Sequence, residues 1–549
     1  MKLAPALFGI LLVFVSCVCA LPQQRPNGGA ISGAFHVSGT VVDEQTHRPV
    51  ANAKVALLIS QAGEEQRRVA NTGGSGIFVF NGVSAGKYDL YAEARGYAQQ
   101  ALNAHDNFLT GVAAGPGKNS ENIVFALSPE AIITGAVGDE AGEPVRDAHV
   151  ALFRKTNTQG IDAVSMVGMQ NTDDRGSFEF RKLRAGAYYI AVGARPWYAS
   201  MRYQSWGLRS QQNRDPALDV VYPVTFFGGS TDEANAQSIH LKVGQKFEAD
   251  VALYPTPGLH VRVRGTAGRN SPTVTLQRKI FGSWQMPMGL QMNHVGEGDW
   301  EMSGVAPGRY IARVQPVNLG VSMDPGTYRS EQVRQFPVEI TGDTEIDPAQ
   351  GPGVAQVTGV VQLPVSGGKT GNRTLIFRNT LDRQPVFVPL QKDGSFKNTE
   401  ITVGRYQMEL TGPGGYAVQS LAASGAATVV GHQIEFSSGA AAIAIIASND
   451  HGEIHGVVLD HGKPLSGAMV LLVPREGIQE KERIQRDESD SDGTFSLRTI
   501  PAGNYTLLAL RDGWTMEWGK PEVLAPYLRK GIIVRVGGRE TGEVKLEAQ

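Results

Sequence analysis

Along most of this chain, apolar and polar residues alternate in short runs, the two-residue period of a strand with one face buried. In Gly176-Ser-Phe178-Glu-Phe180 the two phenylalanines fall on one face, after a polar turn that begins at Thr172. A further strand follows at Tyr188-Tyr-Ile-Ala-Val192. Upstream, alternating β-branched runs flank a proline-bearing turn, as in Val37-Ser-Gly39-Thr-Val-Val, Arg48-Pro-Val50 and Ala53-Lys-Val55-Ala-Leu57. Such a sequence is a strand-turn-strand signal. Helical periodicity is nearly absent. The charged run from Gly477 to Asp490 is the only candidate helix and reads better as a solvated loop insertion.

The strand pattern is tandem. A glycine, an aromatic two residues on, a second glycine at plus ten and a tyrosine at plus twelve recur five times: Gly76/Phe78/Gly86/Tyr88, Gly176/Phe178/Gly186/Tyr188, Gly298/Trp300/Gly308/Tyr310, Gly394/Phe396/Gly404/Tyr406 and Gly493/Phe495/Gly503/Tyr505. The upstream stretch recurs at Ile133 to Leu152 and Ile454 to Leu472, and in degenerate form at Gly258 to Leu276 and Gly359 to Ile376. A fixed period of this kind marks a repeat architecture. The expected fold is all-β, about five Greek-key or transthyretin-like sandwiches in a row. The expected boundaries are 1–20 export signal, 21–34 leader, and repeats at 35–128, 129–255, 256–350, 351–449 and 450–549. A tyrosine opening a strand in this position buries its ring and ties its hydroxyl back to the backbone, as in a tyrosine corner. The five tyrosines are therefore expected to be structural.

Composition narrows the function. With 51 basic and 53 acidic residues the formal charge is −2, and no compact basic run offers a footprint for nucleic acid. Lys2, the apolar stretch Leu3 to Val15 and the small residues at Val18-Cys-Ala20 read as a signal peptide cleaved after Ala20. An uncleaved anchor is the alternative; a lipid on Cys17 is poorly supported by Phe14-Val-Ser16. Both cysteines, Cys17 and Cys19, lie in this segment, so the mature chain has no disulfide and no thiol chemistry. The expectation is an exported protein, periplasmic, outer-envelope-associated or secreted, without a membrane span after cleavage.

The early Gly-x-Val strand, the Pro-Val turn, the Ala-x-Val-x-Leu strand, Gly-x-Phe and Ala-Gly-x-Tyr together resemble the carboxypeptidase-regulatory-like repeat. The likeness is strong in copies one, two and five and weaker in three and four. That family has a transthyretin-like sandwich grouped with carbohydrate-binding-like folds. The resemblance implies a bacterial, exported, non-catalytic array and implies no peptidase activity. Cna-B-like domains with a Lys–Asn isopeptide bond are a neighbouring possibility, discounted because the required residues do not recur in register.

Motifs that imitate chemistry are incomplete. His294-Val-Gly-Glu297 has zinc-ligand spacing but falls in a hairpin, without the α/β domain a peptidase needs. Ser366-Gly-Gly-Lys-Thr370 ends like a phosphate loop, yet has Leu363 where glycine is required and no strand-to-helix context. Glu488-Ser-Asp490-Ser-Asp492-Gly493 starts like a calcium loop, but Thr499 stands where the closing glutamate belongs. His451, Glu453 and His455 share one strand face, although the outer two are about 13 Å apart by strand rise. No enzyme, cofactor or metal site is expected.

Aromatic residues are the binding candidates. Nine residues after the motif tyrosine stand Tyr97, Trp197 and Trp514, with Tyr416 at ten, a recurrence that reads mainly as packing. The second repeat adds Tyr198, Tyr203 and Trp206 in a long insertion with Arg195, Arg202 and Arg209, and the fifth adds Trp518. Flat rings with polar neighbours stack on sugars or serve as hot spots for a protein partner. Trp197, Tyr198, Tyr203, Trp206, Trp514 and Trp518 are thus the candidate ligand-binding residues. The expected partner is a glycan or envelope polymer; the alternative is a spacer or a scaffold for an envelope protein.

Overall fold

The computed structural model describes residues 35–549 except 62–63, 106–107, 119, 159, 200–215, 265–272, 286–289, 295–298, 316–333, 349–350, 365–372, 382–384, 476–482 and 538–540. The expected export signal, with Cys17 and Cys19, lies outside the described residues, as do Tyr203, Trp206 and the loop Ser366 to Thr370.

The chain is an all-β array of sandwiches. In the first, the sheet ordered Ile77–Val83, Phe35–Asp43, Ile123–Leu127 faces a second sheet built on Glu64–Asn71, Lys54–Gln61 and Gly86–Glu93. The same plan recurs in the second, third and fifth. Each repeat closes on itself, because its first strand runs parallel to its last. Phe35–Asp43 pairs Ile123–Leu127, Ala131–Gly138 pairs Lys246–Glu248, and His451–Asp460 pairs Thr541–Glu547. Parallel neighbours need a long crossover, which the rest of the repeat supplies. The fourth repeat departs from the plan. Its strand Gln433–Ser448 pairs Gly404–Thr411 antiparallel at one end and Val354–Gln362 parallel at the other, so its two layers form one continuous sheet.

The motif residues explain one another. Gly39, Gly135, Gly359 and Gly456 stand directly opposite Phe78, Phe178, Phe396 and Phe495 in the antiparallel register. The ring lies over the glycine: a Cβ at Gly135 would sit 2.3 Å from the Ala249 carbonyl oxygen and 2.6 Å from Phe178 Cζ. The five tyrosines are all buried, and each hydroxyl donates to the carbonyl four residues earlier. The acceptors are Ser84 (2.9 Å), Arg184 (2.7 Å), Ala306 (2.7 Å), Thr402 (2.9 Å) and Pro501 (2.8 Å). Each corner pins the turn before its strand by a hydrogen bond from a buried ring.

A second recurring lock was not read from the sequence. The Thr72 hydroxyl donates to Val50 O (2.7 Å) and accepts from Ala53 N (2.9 Å). Thr172 does the same between Val145 and Ala148, and Ser489 between Leu465 and Ala468. The buried hydroxyl staples the Pro-Val turn to the following strand. Its sequence signal is a Thr or Ser four residues before the motif glycine in repeats one, two and five.

Two expectations about local structure change. A helix does form, at Pro521–Leu528, opened by a proline in the first turn, where its missing N–H costs nothing. The charged run is a strand at its end, Gln485–Glu488, paired with Met469–Pro474.

The outward face of the strand that follows the Pro-Val turn decides how repeats pack. In the last repeat Met469, Leu471 and Val473 are covered by Trp518 and the helix residue Leu524. In the second repeat Ala151 and Phe153 are covered by Phe281 of the third, whose ring meets Phe153, Tyr189 and Phe226 at 5.2, 4.7 and 5.5 Å. In the first repeat the matching face carries Lys54, Ala56, Leu58 and Tyr91 and stays open as a depression of about 250 Å³.

Candidate functional site

The first candidate is the turn after strand Gly186–Gly193, where Ala199 N donates to Pro196 O at 3.1 Å. Trp197 projects from it with 83% of its surface exposed, the largest exposed aromatic face among the described residues. It is braced from below. The Tyr198 ring meets it edge-on, with centroids 5.7 Å apart at 90°. The Tyr198 hydroxyl donates to one Glu140 oxygen, and the buried Tyr222 hydroxyl donates to the other at 2.8 Å.

This phenol–carboxylate–phenol bridge sets the local electrostatics. Burial works to raise the Glu140 carboxyl, but the hydrogen bonds from Tyr198 and Tyr222 outweigh it and hold the group below its ordinary value. Burial and the bond to Glu140 push the Tyr198 phenol up to about 12, and the same causes push Tyr222 up further. At neutral pH Glu140 is therefore a charged acceptor and both phenols are fixed donors. The result is a flat indole face on a rigid polar base. Tyr203 and Trp206, expected beside it, fall outside the described residues.

Trp514 and Trp518, also named as candidate ligand-binding residues, are engaged within the molecule. Trp518 is 3% exposed, packed among Met469, Leu471 and Leu508, with its backbone neighbour Gly519 N donating to Gly160 O of the second repeat at 2.8 Å. Trp514 stacks on His105 of the first repeat, centroids 4.8 Å apart at 8°, and leans on Phe108 at 5.6 Å. Arg486 lies 4.6 Å over Phe108 and 5.5 Å over Trp518. The physical reason is the apolar outer face of the last repeat, which must be covered. At the aligned positions, Tyr97 donates to Asp43 at 2.9 Å and the buried Tyr416 ring lies under Arg373 at 4.8 Å, so Trp197 alone of this set stands clear.

Two of the motifs with the look of metal sites fall among the described residues. Glu488, Asp490 and Asp492 meet residues of the first repeat. Glu488 accepts from Thr110 at 2.6 Å and lies 3.1 Å from His105 Nδ1. Asp490 pairs with Lys87, and Asp492 with Lys118 at 2.7 Å. Burial pushes the Glu488 carboxyl up, against the pull of His105 and Thr110. Burial also acts to raise Asp492, but Lys118 and Thr494 prevail and hold it low. His455 lies 3.1 Å from Glu453, while His451 Nε2 lies 2.6 Å from Gly415 O of the fourth repeat. Among the described residues no group of three or more His, Cys, Asp or Glu is placed to hold a metal ion. Glu297 and the side chain of His294 lie outside them. No helix among the described residues is long and apolar enough to cross a membrane.

Residues 36–128 match the carboxypeptidase regulatory-like domain family. No curated protein matches the chain. Among solved structures the chain is similar to the Bacillus anthracis TIE protein, at 11% identity over 96% of this chain and 76% of that one, with a TM-score of 0.17. It is also similar to the minor pilin GBS52 of Streptococcus agalactiae, at 12% identity over 40% of this chain and 97% of that one, TM-score 0.19. BcpA, the major pilin subunit of Bacillus cereus, matches at 10% identity over 76% and 99%, TM-score 0.14.

Proposed function

We propose that this is an exported, non-enzymatic binding protein that holds a glycan or cell-envelope polymer on the Trp197 platform of its second repeat. The observation that carries the reading is a fully presented indole on a base fixed by the Tyr198–Glu140–Tyr222 bridge. A flat apolar ring held at the surface with a polar base beside it offers a stacking platform that the C–H face of a sugar fits. Tyr203 and Trp206, which lie outside the described residues, remain candidates on the sequence alone. A non-enzymatic role is supported by where the polar residues go. The motif tyrosines are spent on turn carbonyls, and the acidic run on Lys87, Lys118, Thr110 and His105. The signal-like leader supports export. The alternative, a scaffold that acts through its shape or through protein contacts, is favoured by the junction between the first and last repeats.

Affinity electrophoresis in gels carrying soluble polysaccharides tests this reading. Trp197→Ala should lose retention while the melting temperature stays within a degree or so, since an exposed side chain contributes little to folding. Retention unchanged in Trp197→Ala and in Tyr203→Ala/Trp206→Ala would remove the glycan reading and leave the scaffold.

A further inference from the structure

The last repeat reaches back across the array to the first through a junction of opposite charge and matched backbone. On the first repeat, Lys87 and Lys118 flank a rim on which Gly111 N donates to Asp490 at 3.1 Å and Ala113 N donates to Ser491 Oγ at 2.9 Å. The backbone joins in, with Ser491 N donating to Gly111 O at 2.8 Å. Thr110 and His105 receive Glu488, and His105 and Phe108 hold Trp514. The acidic turn Glu488 to Asp492 is thus a key, and this face of the first repeat is its socket.

Neither half of the junction is needed to complete a core. The apolar cluster of the first repeat contains only residues between Val37 and Leu127, and the clusters of the last only residues between Ile454 and Ala548. The contact is built from ion pairs and hydrogen bonds that water can replace on opening, around one stacked ring. Lys87 and Asp490 are mostly covered in the closed state, and Lys118 remains 40% exposed. Surfaces complementary to each other on one chain are complementary on two copies. Which pairing forms depends on the effective concentration the intervening chain provides.

We infer that the junction between the first and last repeats is a separable socket and key, closed within one chain here, whose natural partner in an opened molecule is the last repeat of a second copy. Closure in one chain sheathes Trp514; exchange between two chains joins them through the same contacts. This inference does not rest on glycan binding at Trp197.

Two full-length variants test it, one with the socket reversed (Lys87→Glu/Lys118→Glu) and one with the key reversed (Asp490→Lys/Asp492→Lys). Each alone places like charges together, so each should be monomeric by light scattering with a larger radius of gyration by small-angle scattering than the native chain. Mixed in equal amounts, their junctions are complementary only between chains, and a one-to-one dimer of twice the monomer mass should appear. The fourfold variant carrying both reversals should return to a compact monomer, which shows that the substituted repeats still fold. Single variants as compact as the native chain would overturn the latch. Expanded variants that give no dimer when mixed would overturn pairing between copies, and a fourfold variant that stays expanded would show that charge does not drive the closure.

Discussion

Truncating Tyr188 separates the two jobs of the motif tyrosine. The side chain is 2% exposed, packed among residues such as Ile190, Ile239 and Leu241, and its hydroxyl holds the Arg184 carbonyl at 2.7 Å. Tyr188→Phe keeps the packing and removes the bond, which should cost about 1 kcal/mol because the freed carbonyl is only partly buried. Tyr188→Ala also leaves a ring-sized void, and aromatic truncations in cores cost about 3–5 kcal/mol. At roughly 1.4 kcal/mol per tenfold, these are about 5-fold and more than 100-fold increases in local opening. Hydrogen exchange of the full-length protein, read by mass spectrometry, resolves them on the amides of His149–Thr158 and Gly186–Gly193. Strand Lys54–Gln61 of the first repeat, whose core is separate, is the internal control. Equal effects of Phe and Ala would refute the packing estimate. Equal effects in both repeats would refute the independence of the cores.

Gly135→Ala should destabilise the second repeat by about 1–3 kcal/mol or more through overpacking, because the new Cβ meets the backbone oxygen of Ala249; calorimetry of the full chain should show one component moving down by several degrees. Thr172→Val keeps the shape but leaves Ala148 N and Val145 O without their shared partner, and a loss of about 1–3 kcal/mol is expected from denaturant unfolding followed in that repeat. Alkaline spectrophotometric titration should find the Tyr198 phenol near 12, and Glu140→Gln should bring it back toward 10. Because the folded value is raised, the stabilisation from this bridge is full below about 10 and disappears as pH rises through about 12, so Glu140→Gln should flatten the alkaline decline in melting temperature.

The repeat was legible because its signals are local. A strand shows its two faces in consecutive residues, and the spacing from Gly176 to Tyr188 is fixed by one hairpin and one turn. The tyrosine corner could be read for the same reason, since donor and acceptor lie four residues apart. The Thr172 staple had an equally regular spacing, but its hydroxyl bonds backbone groups on the far side of a turn, and a lone threonine in a polar stretch carries no visible mark. Helix Pro521–Leu528 was missed because it is short and carries Pro526 within it, which masks the period.

By itself the sequence determined the fold class of each unit: the alternating strands, the fixed spacing of the motif, the buried tyrosine and the likeness to regulatory-like sandwiches. What it left open was the difference between Trp197, Trp514 and Trp518, which occupy similar places after their motifs and look alike as letters. Only the tertiary structure separated them, because exposure depends on which other surface arrives. The apolar outer face of the last repeat draws its tryptophans down, and the first repeat closes over Trp514 from residues more than 370 positions away. Among the described residues no such surface comes to Trp197. Periodicity reports which side of a strand is apolar, whereas the partner that covers it is fixed by contacts that no local window contains.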